Sequence, residues 1–374
     1  MISYWEQSAL LDYDLIVIGG GITGLFCALS YRKNHPKAKI AVIERGMFSS
    51  GASTKNAGFA CFGSLSELEI DLNAMGEEKL LQLVEMRWNG LQLLRQTLGD
   101  AAIEFQQQGG YELFFESKPK TLDQIEAINQ LLYPLFKKSV FVEAPHKIST
   151  FGFSSNHVKQ LVENPFEGQI HTGKMMRALL SKVSTQDISY FSNTEVTHFD
   201  QGDKNKILLH LKNQTFNLKC DQLAVCNNAF AKQFFPELNL NPGRGMVMLT
   251  KPIKELKIKG CFHYKQGYYY FRNHGDQLLF GGGREQDFKT ETTTEFGINP
   301  IIKAQLEHDL NTFLLPEQKT EIAMQWSGIM AFGENKQPII KKINDNVAVG
   351  VRLGGMGVAI GSKIGRATAA LLEQ

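Results

Sequence analysis

The sequence predicts an α/β fold joined to an α+β one: a discontinuous Rossmann-like nucleotide domain and a second domain built on an antiparallel sheet. Three observations carry this. A strand, a glycine turn, a helix and a second strand ending in an acid fill residues 14–44. βα units return after residue 168, beyond a helical insertion. From Gly245 the pattern becomes antiparallel, until a last strand runs into Gly354-Gly355-Met356-Gly357 and a final helix.

Asp14-Leu15-Ile16-Val17-Ile18 is apolar and β-branched, the composition of a strand buried on both faces. It meets Gly19-Gly20-Gly21-Ile22-Thr23-Gly24, a G-x-G-x-x-G run with Gly19, Gly21 and Gly24 in the defining places. An apolar helix ends near Asn34, residues 39–43 form the second strand, and Glu44 follows 20 residues after Gly24. Gly19 permits the tight turn, Gly21 the approach of a pyrophosphate, and Gly24 close packing of helix on strand. The helix N-terminus offers free N–H groups to phosphate. Glu44 accepts hydrogen bonds from ribose hydroxyls and repels a 2′-phosphate, which argues against NADP. The ordered set is far more specific than the glycines alone.

Ser49-Ser50-Gly51-Ala52-Ser53-Thr54-Lys55-Asn56-Ala57-Gly58 is small and polar. It cannot build a core, but its hydroxyls and amides suit a polar ligand. Leu80, Val84, Trp88, Leu91, Leu94 and Leu98 recur at helical spacing from about Glu77, and Leu122, Ile125, Leu132 and Leu135 mark another helix. Residues 111–115 and 140–142 read as strands. A turn at 168–174 leads into a helix carrying Met175, Leu179 and Val183. Strands follow at 188–191 and 195–199, a hairpin at 207–211 and 215–218, and a separate buried strand at 221–226. In the antiparallel part, 246–250 is a strand, and 267–272 pairs with 277–281 across Asn273-His274-Gly275-Asp276. Residues 301–315 are helical, and 339–340 and 347–351 are the last strands.

At 374 residues the chain has room for two domains. Hydrophobic residues at 43% and charged residues at 21% are ordinary for a globular protein, and a net charge of +2 gives no field for nucleic acid. Five cysteines, an odd number without metal-ligand spacing, read as reduced thiols of a cytoplasmic protein that holds no metal. Met1-Ile2-Ser3-Tyr4-Trp5-Glu6-Gln7 lacks the basic flank and apolar core of a signal peptide, and glycines interrupt the apolar run at 15–30. No integral membrane segment is expected.

Several segments, in order along nearly the whole chain, resemble the D-amino-acid-oxidase-like FAD oxidoreductases, the superfamily of glycine oxidase, monomeric sarcosine oxidase and gamma-glutamylputrescine oxidase. Gly51-Ala52-Ser53-Thr54-Lys55-Asn56-Ala57-Gly58 is similar to the family's Gly-Ala-Ser-x-Arg-Asn-Gly-Gly, and Leu223-Ala224-Val225-Cys226-Asn227-Asn228-Ala229 to its Leu-Ala-Thr-Asn-Ala. Arg244-Gly245-Met246, Tyr269-Tyr270-Phe271-Arg272 and Gly281-Gly282-Gly283-Arg284 resemble Arg-Gly-Gln, Tyr-x-x-Arg and Gly-Gly-x-Arg. Gly350 with Gly354-Gly355-Met356-Gly357 is similar to Gly-x-x-Gly-His-Gly-Met-Gly.

The resemblance implies a discontinuous FAD-binding domain (1–85, 145–235 and 325–374) and an antiparallel-sheet substrate domain (86–144 and 236–324). It places the ADP half on Gly19, Gly20, Gly21, Ile22, Thr23 and Gly24, with Glu44 and Arg45. Ser53, Thr54, Lys55, Asn56, Ala57 and Gly58 would line the flavin, together with Val196, Asn228 and Gly328. Gly354, Gly355, Met356 and Gly357 would give N–H groups to the flavin O2/N1 edge, where negative charge collects on reduction. The implied reaction takes a hydride from a carbon bearing an amine, giving an imine that water hydrolyses. Its partners are a small amine or amino acid and O2 or another electron acceptor.

The departures are informative. The amino-acid oxidases carry Trp-x-Gly-x-Arg-Pro, whose Arg clamps a carboxylate; here Trp326-Ser327-Gly328-Ile329-Met330-Ala331 puts Met330 in its place. Arg272, Arg284 and Arg352 are the arginines available to replace it. Lys55, Arg272 and Arg352 are the candidate catalytic residues, Lys55 standing where relatives place an Arg. No cysteine lies at 329–338 and no His precedes Lys55 in its loop, so FAD is expected to be non-covalent. Two alternatives share the fold: the FAD half of a tRNA-wobble-uridine modification system, and a flavin-binding protein without catalysis.

Overall fold

Burial on both faces puts the first strand at the centre of a sheet. In the computed structural model, which describes residues 1–202, 206–318 and 320–373, Asp12–Ile18 lies between Ile40–Ile43 and Asn217–Val225, parallel to both. Ser189–Phe191 extends one side and Val347–Val351 the other, again in parallel, and Ile339–Asn344 closes that edge antiparallel. Ile207–Leu211 and Val196–Gln201 branch from the start of Asn217–Val225. The two segments expected at 215–218 and 221–226 are therefore one strand. Asn217–Val225 holds the hairpin with its first half and the parallel sheet with its second.

Helices Ile22–Asn34, Gly357–Leu371 and Glu77–Leu98 stack on this sheet through glycines. A Cβ on Gly24 would lie 1.9 Å from the Gly19 carbonyl oxygen, and one on Gly365 2.2 Å from that of Thr23. A Cβ on Gly90 would come 2.1 Å from the Ala359 carbonyl oxygen. Backbone thus packs directly on backbone, and the starts of helices Ile22–Asn34 and Gly357–Leu371 line the same cavity.

The second sheet runs Ile322–Phe332, Asn241–Thr250, Gln277–Gly282, Tyr269–His274, Cys261–Tyr264, Gly110–Phe114, Gln160–Asn164 and Val142–Glu143. Every pair is antiparallel except Cys261–Tyr264 with Gly110–Phe114, a parallel junction where the insertion joins. Its outer face packs Phe262, Tyr264, Tyr269, Phe271 and Phe280 into one aromatic core. The strand expected at 140–142 shrinks to Val142–Glu143, because Val140 and Phe141 instead give their N–H groups to Asn129 Oδ1. The polar loop after Glu44 contains a helical turn, Ala52–Lys55. Phe59–Ala60 and Gly168–Gln169 form a small third sheet. Among the described residues no helix is long and apolar enough to cross a membrane.

Candidate active site

One cavity is lined both by the strand ends of the first sheet and by the inner face of the second. At the first, Gly19, Gly21, Ile22 and Thr23 form the wall, and Gly21 caps its helix with no side chain. A Cβ on Gly21 would meet Ser53 Oγ at 2.6 Å, and that hydroxyl accepts the Ile22 N–H at 3.0 Å. Glu44 is buried and held from two sides: Oε2 accepts the Gly20 N–H at 3.1 Å, and Oε1 accepts the Ser50 hydroxyl at 2.7 Å. Arg45 stacks on Phe230, 3.7 Å from the ring centroid. Val196 and Asn228 line the same end.

The second glycine turn faces this cradle. Gly354, Gly355, Met356 and Gly357 line the cavity, and Cβ atoms on Gly354 and Gly355 would meet nothing within 4 Å. Gly354 and Met356 give their own N–H groups to the Ala331 and Leu353 carbonyls at 3.0 and 3.1 Å, contrary to the sequence expectation, which leaves Gly355 and Gly357 to offer N–H groups to an anion or a carbonyl oxygen. Ser53, Lys55, Asn56, Ala57 and Gly328 complete the wall.

Four expected cofactor residues do not face the cavity. Gly20 turns its N–H to Glu44, and a side chain there would strike Tyr190. Gly24 is spent on helix packing, Thr54 donates its hydroxyl to the Ser49 carbonyl at 2.6 Å, and Gly58 sits against the Ile170 carbonyl. These residues shape the lining from behind.

The arginines correct the sequence expectation more sharply. Arg272 is buried outside the cavity, its guanidinium donating to the carbonyls of Ala57, Asn273 and Ile170. Arg352 has φ +64° and turns away, donating to the Gln337 and Asn239 carbonyls at 2.8 and 2.9 Å and to Asn335 Oδ1 at 3.0 Å. Arg284 lies over Phe332, 4.0 Å from its centroid. Neither Arg272 nor Arg352 has a donor fork free for a substrate, and both are structural. Lys55 does line the cavity, its ammonium 5.2 Å from the Phe296 ring centroid and its carbonyl accepting Trp326 Nε1–H at 2.9 Å. Strand alternation puts Trp326, Gly328 and Met330 on one face, and Gly328 and Met330 line the cavity.

At the second-sheet end stand Phe59, Cys61, Glu67, His263, Tyr270 and Met330. Tyr270 and His263 are cross-strand partners, and Glu112 is the next residue in the row. Burial pushes the Tyr270 hydroxyl up to about 12, raises the Cys61 thiol and lowers His263. All three are therefore neutral at physiological pH. Behind them burial lifts Glu167 to about 8, although its Oε1 accepts the N–H groups of Phe62 and Gly63 at 3.1 and 3.3 Å. Glu112, lifted to about 7 by burial, accepts the Ser66 N–H at 3.0 Å and so docks helix Leu65–Met75 on the sheet. Cys61, Glu167 and His263 bring ligand-type atoms within 4.8 Å of one another, a grouping that sequence spacing did not foretell. Sequence reasoning missed Cys61, Glu67 and His263. Only Glu67 left a local trace, the Ser64-Leu65-Ser66-Glu67 capping box.

Residues 14–371 match the family described as DAO, FAD dependent oxidoreductase. The chain belongs to this family. The fold agrees with solved structures of L-proline dehydrogenase from P. horikoshii (TM-score 0.75, 16% identity, 97% of this chain and 93% of that one). It agrees equally with glycine oxidase from Geobacillus kaustophilus (0.74, 18%, 97% and 95%) and iminodiacetate oxidase from Chelativorans sp. BNC1 (0.73, 16%, 96% and 95%). No curated protein matches the chain by sequence. The family implies a flavin cofactor, and the residues present fit one. Both glycine turns of this oxidoreductase open into a single cavity, with a pre-oriented Glu44 beside the first.

The buried Glu167 makes stability pH-dependent in a stated direction. Its folded value, about 8, lies above the ordinary 4.5, so the native state binds the proton more tightly. The contribution is full below about 4.5 and is lost as pH rises through about 8. Glu112 acts with the same sign between 4.5 and about 7. The urea midpoint of the holoprotein should fall from pH 5 to pH 8, and Glu167→Gln should flatten that slope. An unaltered slope in the variant would assign the proton elsewhere.

Proposed function

We propose that this oxidoreductase oxidises the C–N bond of a small amine or N-substituted amino acid. FAD, when bound, would supply the hydride acceptor for the carbon bearing nitrogen, and water would hydrolyse the resulting imine. One observation carries the substrate class: Met330 lines the cavity where the amino-acid oxidases place a carboxylate-clamping arginine, and among the described residues no guanidinium lines the second-sheet end. Among the described residues the lysines and arginines on the lining are Arg45, at the nucleotide end, and Lys55. The names of the structural neighbours, which specify glycine, L-proline and iminodiacetate, support chemistry on amino compounds.

The chain's own residues suit that chemistry. Phe59, Val247 and Met330 give the second-sheet end apolar walls that exclude water and strengthen the electrostatic interactions inside. His263 and Tyr270 stay neutral and leave an uncharged amine its lone pair. Glu44 would receive ribose hydroxyls, on Oε2 rather than on Oε1, which already accepts from Gly46 and Ser50. FAD is bound non-covalently: Cys61 and Cys226 are the cysteines on the lining, both buried, and burial keeps the Cys61 sulfur a protonated, unreactive thiol. Acid precipitation should leave intact FAD in the supernatant. Flavin retained in the pellet would show a covalent link.

Anaerobic bleaching of the flavin absorbance tests the reaction. Primary amines and N-methyl amino acids should bleach it faster than D-alanine. Rapid bleaching by D-alanine would mean that the carboxylate site has moved, and no bleaching by any of them would leave a flavin-binding protein without this activity.

Lys55 lines the cavity, and its ammonium, 5.2 Å from the Phe296 ring centroid, would stabilise negative charge on the cofactor by swinging from that ring toward it. Electrostatic stabilisation of this kind is worth roughly 3 kcal/mol. Lys55→Met should slow either flavin reduction or reoxidation by about tenfold or more, while Lys55→Arg keeps most of the rate. Wild-type rates for both half-reactions in Lys55→Met, measured by stopped flow, would remove the residue from catalysis.

A further inference from the structure

Two polar side chains at the second-sheet end of the cavity keep an acceptor atom without a donor among the described residues. Glu67 Oε2 takes the Ser64 N–H at 3.1 Å, whereas Oε1 receives no hydrogen bond from the described residues. The carboxyl rests on Gly267, where a Cβ would come 2.4 Å from the carboxyl carbon, so only a glycine there lets Glu67 occupy this wall. His263 is 7% exposed and also lines the cavity; its Nε2 has no hydrogen-bond partner, Glu167 Oε2 standing 3.9 Å away, beyond hydrogen-bond distance. Tyr270, its cross-strand partner, brings a hydroxyl to the same lining. A buried, unpartnered ring nitrogen beside a half-satisfied carboxyl is costly unless a donor arrives.

We propose that Glu67 and His263 form a recognition site for a second, cationic nitrogen of the substrate, which makes the substrate a short diamine or an amine with a distal ammonium. The inference rests on the amine reading above and names its substrate class. An ammonium carries three donors and no acceptor. One can go to Glu67 Oε1 as a charge-assisted bond, one to His263 Nε2 and one to the Tyr270 oxygen. Burial lowers the His263 pKa, so the imidazole stays neutral and keeps a lone pair for this purpose. A carboxylate at the same place would meet Glu67 as a like charge. Lys55 is the competing group: if it governs selection, a carboxylate-bearing substrate wins instead.

A matched four-carbon series separates these outcomes: 1,4-diaminobutane, 1-aminobutane and 4-aminobutanoate. Each is added anaerobically to the FAD-loaded protein. Binding is read from the perturbation of the flavin spectrum and reaction from its bleaching. The wild type should bind 1,4-diaminobutane about tenfold or more tighter than either analogue. Glu67→Gln should shrink that preference to about threefold or less, with FAD content and melting temperature unchanged. Equal or tighter wild-type binding of 1-aminobutane or 4-aminobutanoate overturns the site, and this comparison needs no variant. So does a preference that survives in Glu67→Gln. Bleaching by amines without the discrimination overturns the site and leaves the oxidation standing. Discrimination in binding without bleaching overturns the oxidation and leaves a diamine-binding site.

Discussion

Contacts that no side chain would permit set the spacing of the two glycine turns. Gly24 lies on the Gly19 carbonyl, Gly365 on that of Thr23, and Gly90 on that of Ala359. A methyl group at any of the three would force strand and helix, or helix and helix, apart. Because the stack is backbone on backbone, helices Ile22–Asn34 and Gly357–Leu371 begin at a fixed separation on one cavity. The starts of both helices are then in place before any ligand arrives, and little reorganisation is left for binding.

The second sheet supplies the opposite wall by a different rule. Its alternation sends one set of side chains into the aromatic core and the other toward the cavity. Trp326, Val247, Gly281, Tyr270, His263 and Glu112 are opposite one another across successive strands. Gly281 is the small member of that row: a Cβ there would come 3.0 Å from the Tyr270 hydroxyl oxygen. Glu112, at the far end, fixes helix Leu65–Met75 through Ser66, and Glu67 is the next residue along. The position of Glu67 is thus inherited from the sheet and not from its own loop.

How much of this was legible in the sequence follows from how local each feature is. The unit from Asp14 to Glu44 could be read whole, since strand, turn, helix and acid are contiguous and each residue type has its own physical reason. Met330 could be placed because Trp326-Ser327-Gly328 marks its register. The charge on Arg272 and Arg352 was visible, but not the carbonyls that absorb it, which come from Ala57, Asn273 and Ile170 in one case and Asn239 and Gln337 in the other. Glu67 and His263 come together through the parallel junction between Gly110–Phe114 and Cys261–Tyr264, where Glu112, opposite His263, holds Ser66, and Cys61 arrives from strand Phe59–Ala60; no local pattern announces such a meeting. Strand Ile322–Phe332 escaped notice because its first half is largely exposed and its second half is mostly buried without a break, so alternation is weak.

The segment from Asn335 to Gln337 ties these parts together. Arg352, one residue past the last strand, grips the Asn335 side chain and the Gln337 carbonyl. Lys336, between them, reaches Asp71 at 2.8 Å, on the helix that carries Glu67 and beside the buried Arg87. A three-residue surface link therefore works as a tie-bar between the floor of the cofactor cradle and the wall that holds Glu67. Anyone grafting this cavity onto another scaffold would have to carry the tie-bar along, although none of its residues touches the cavity.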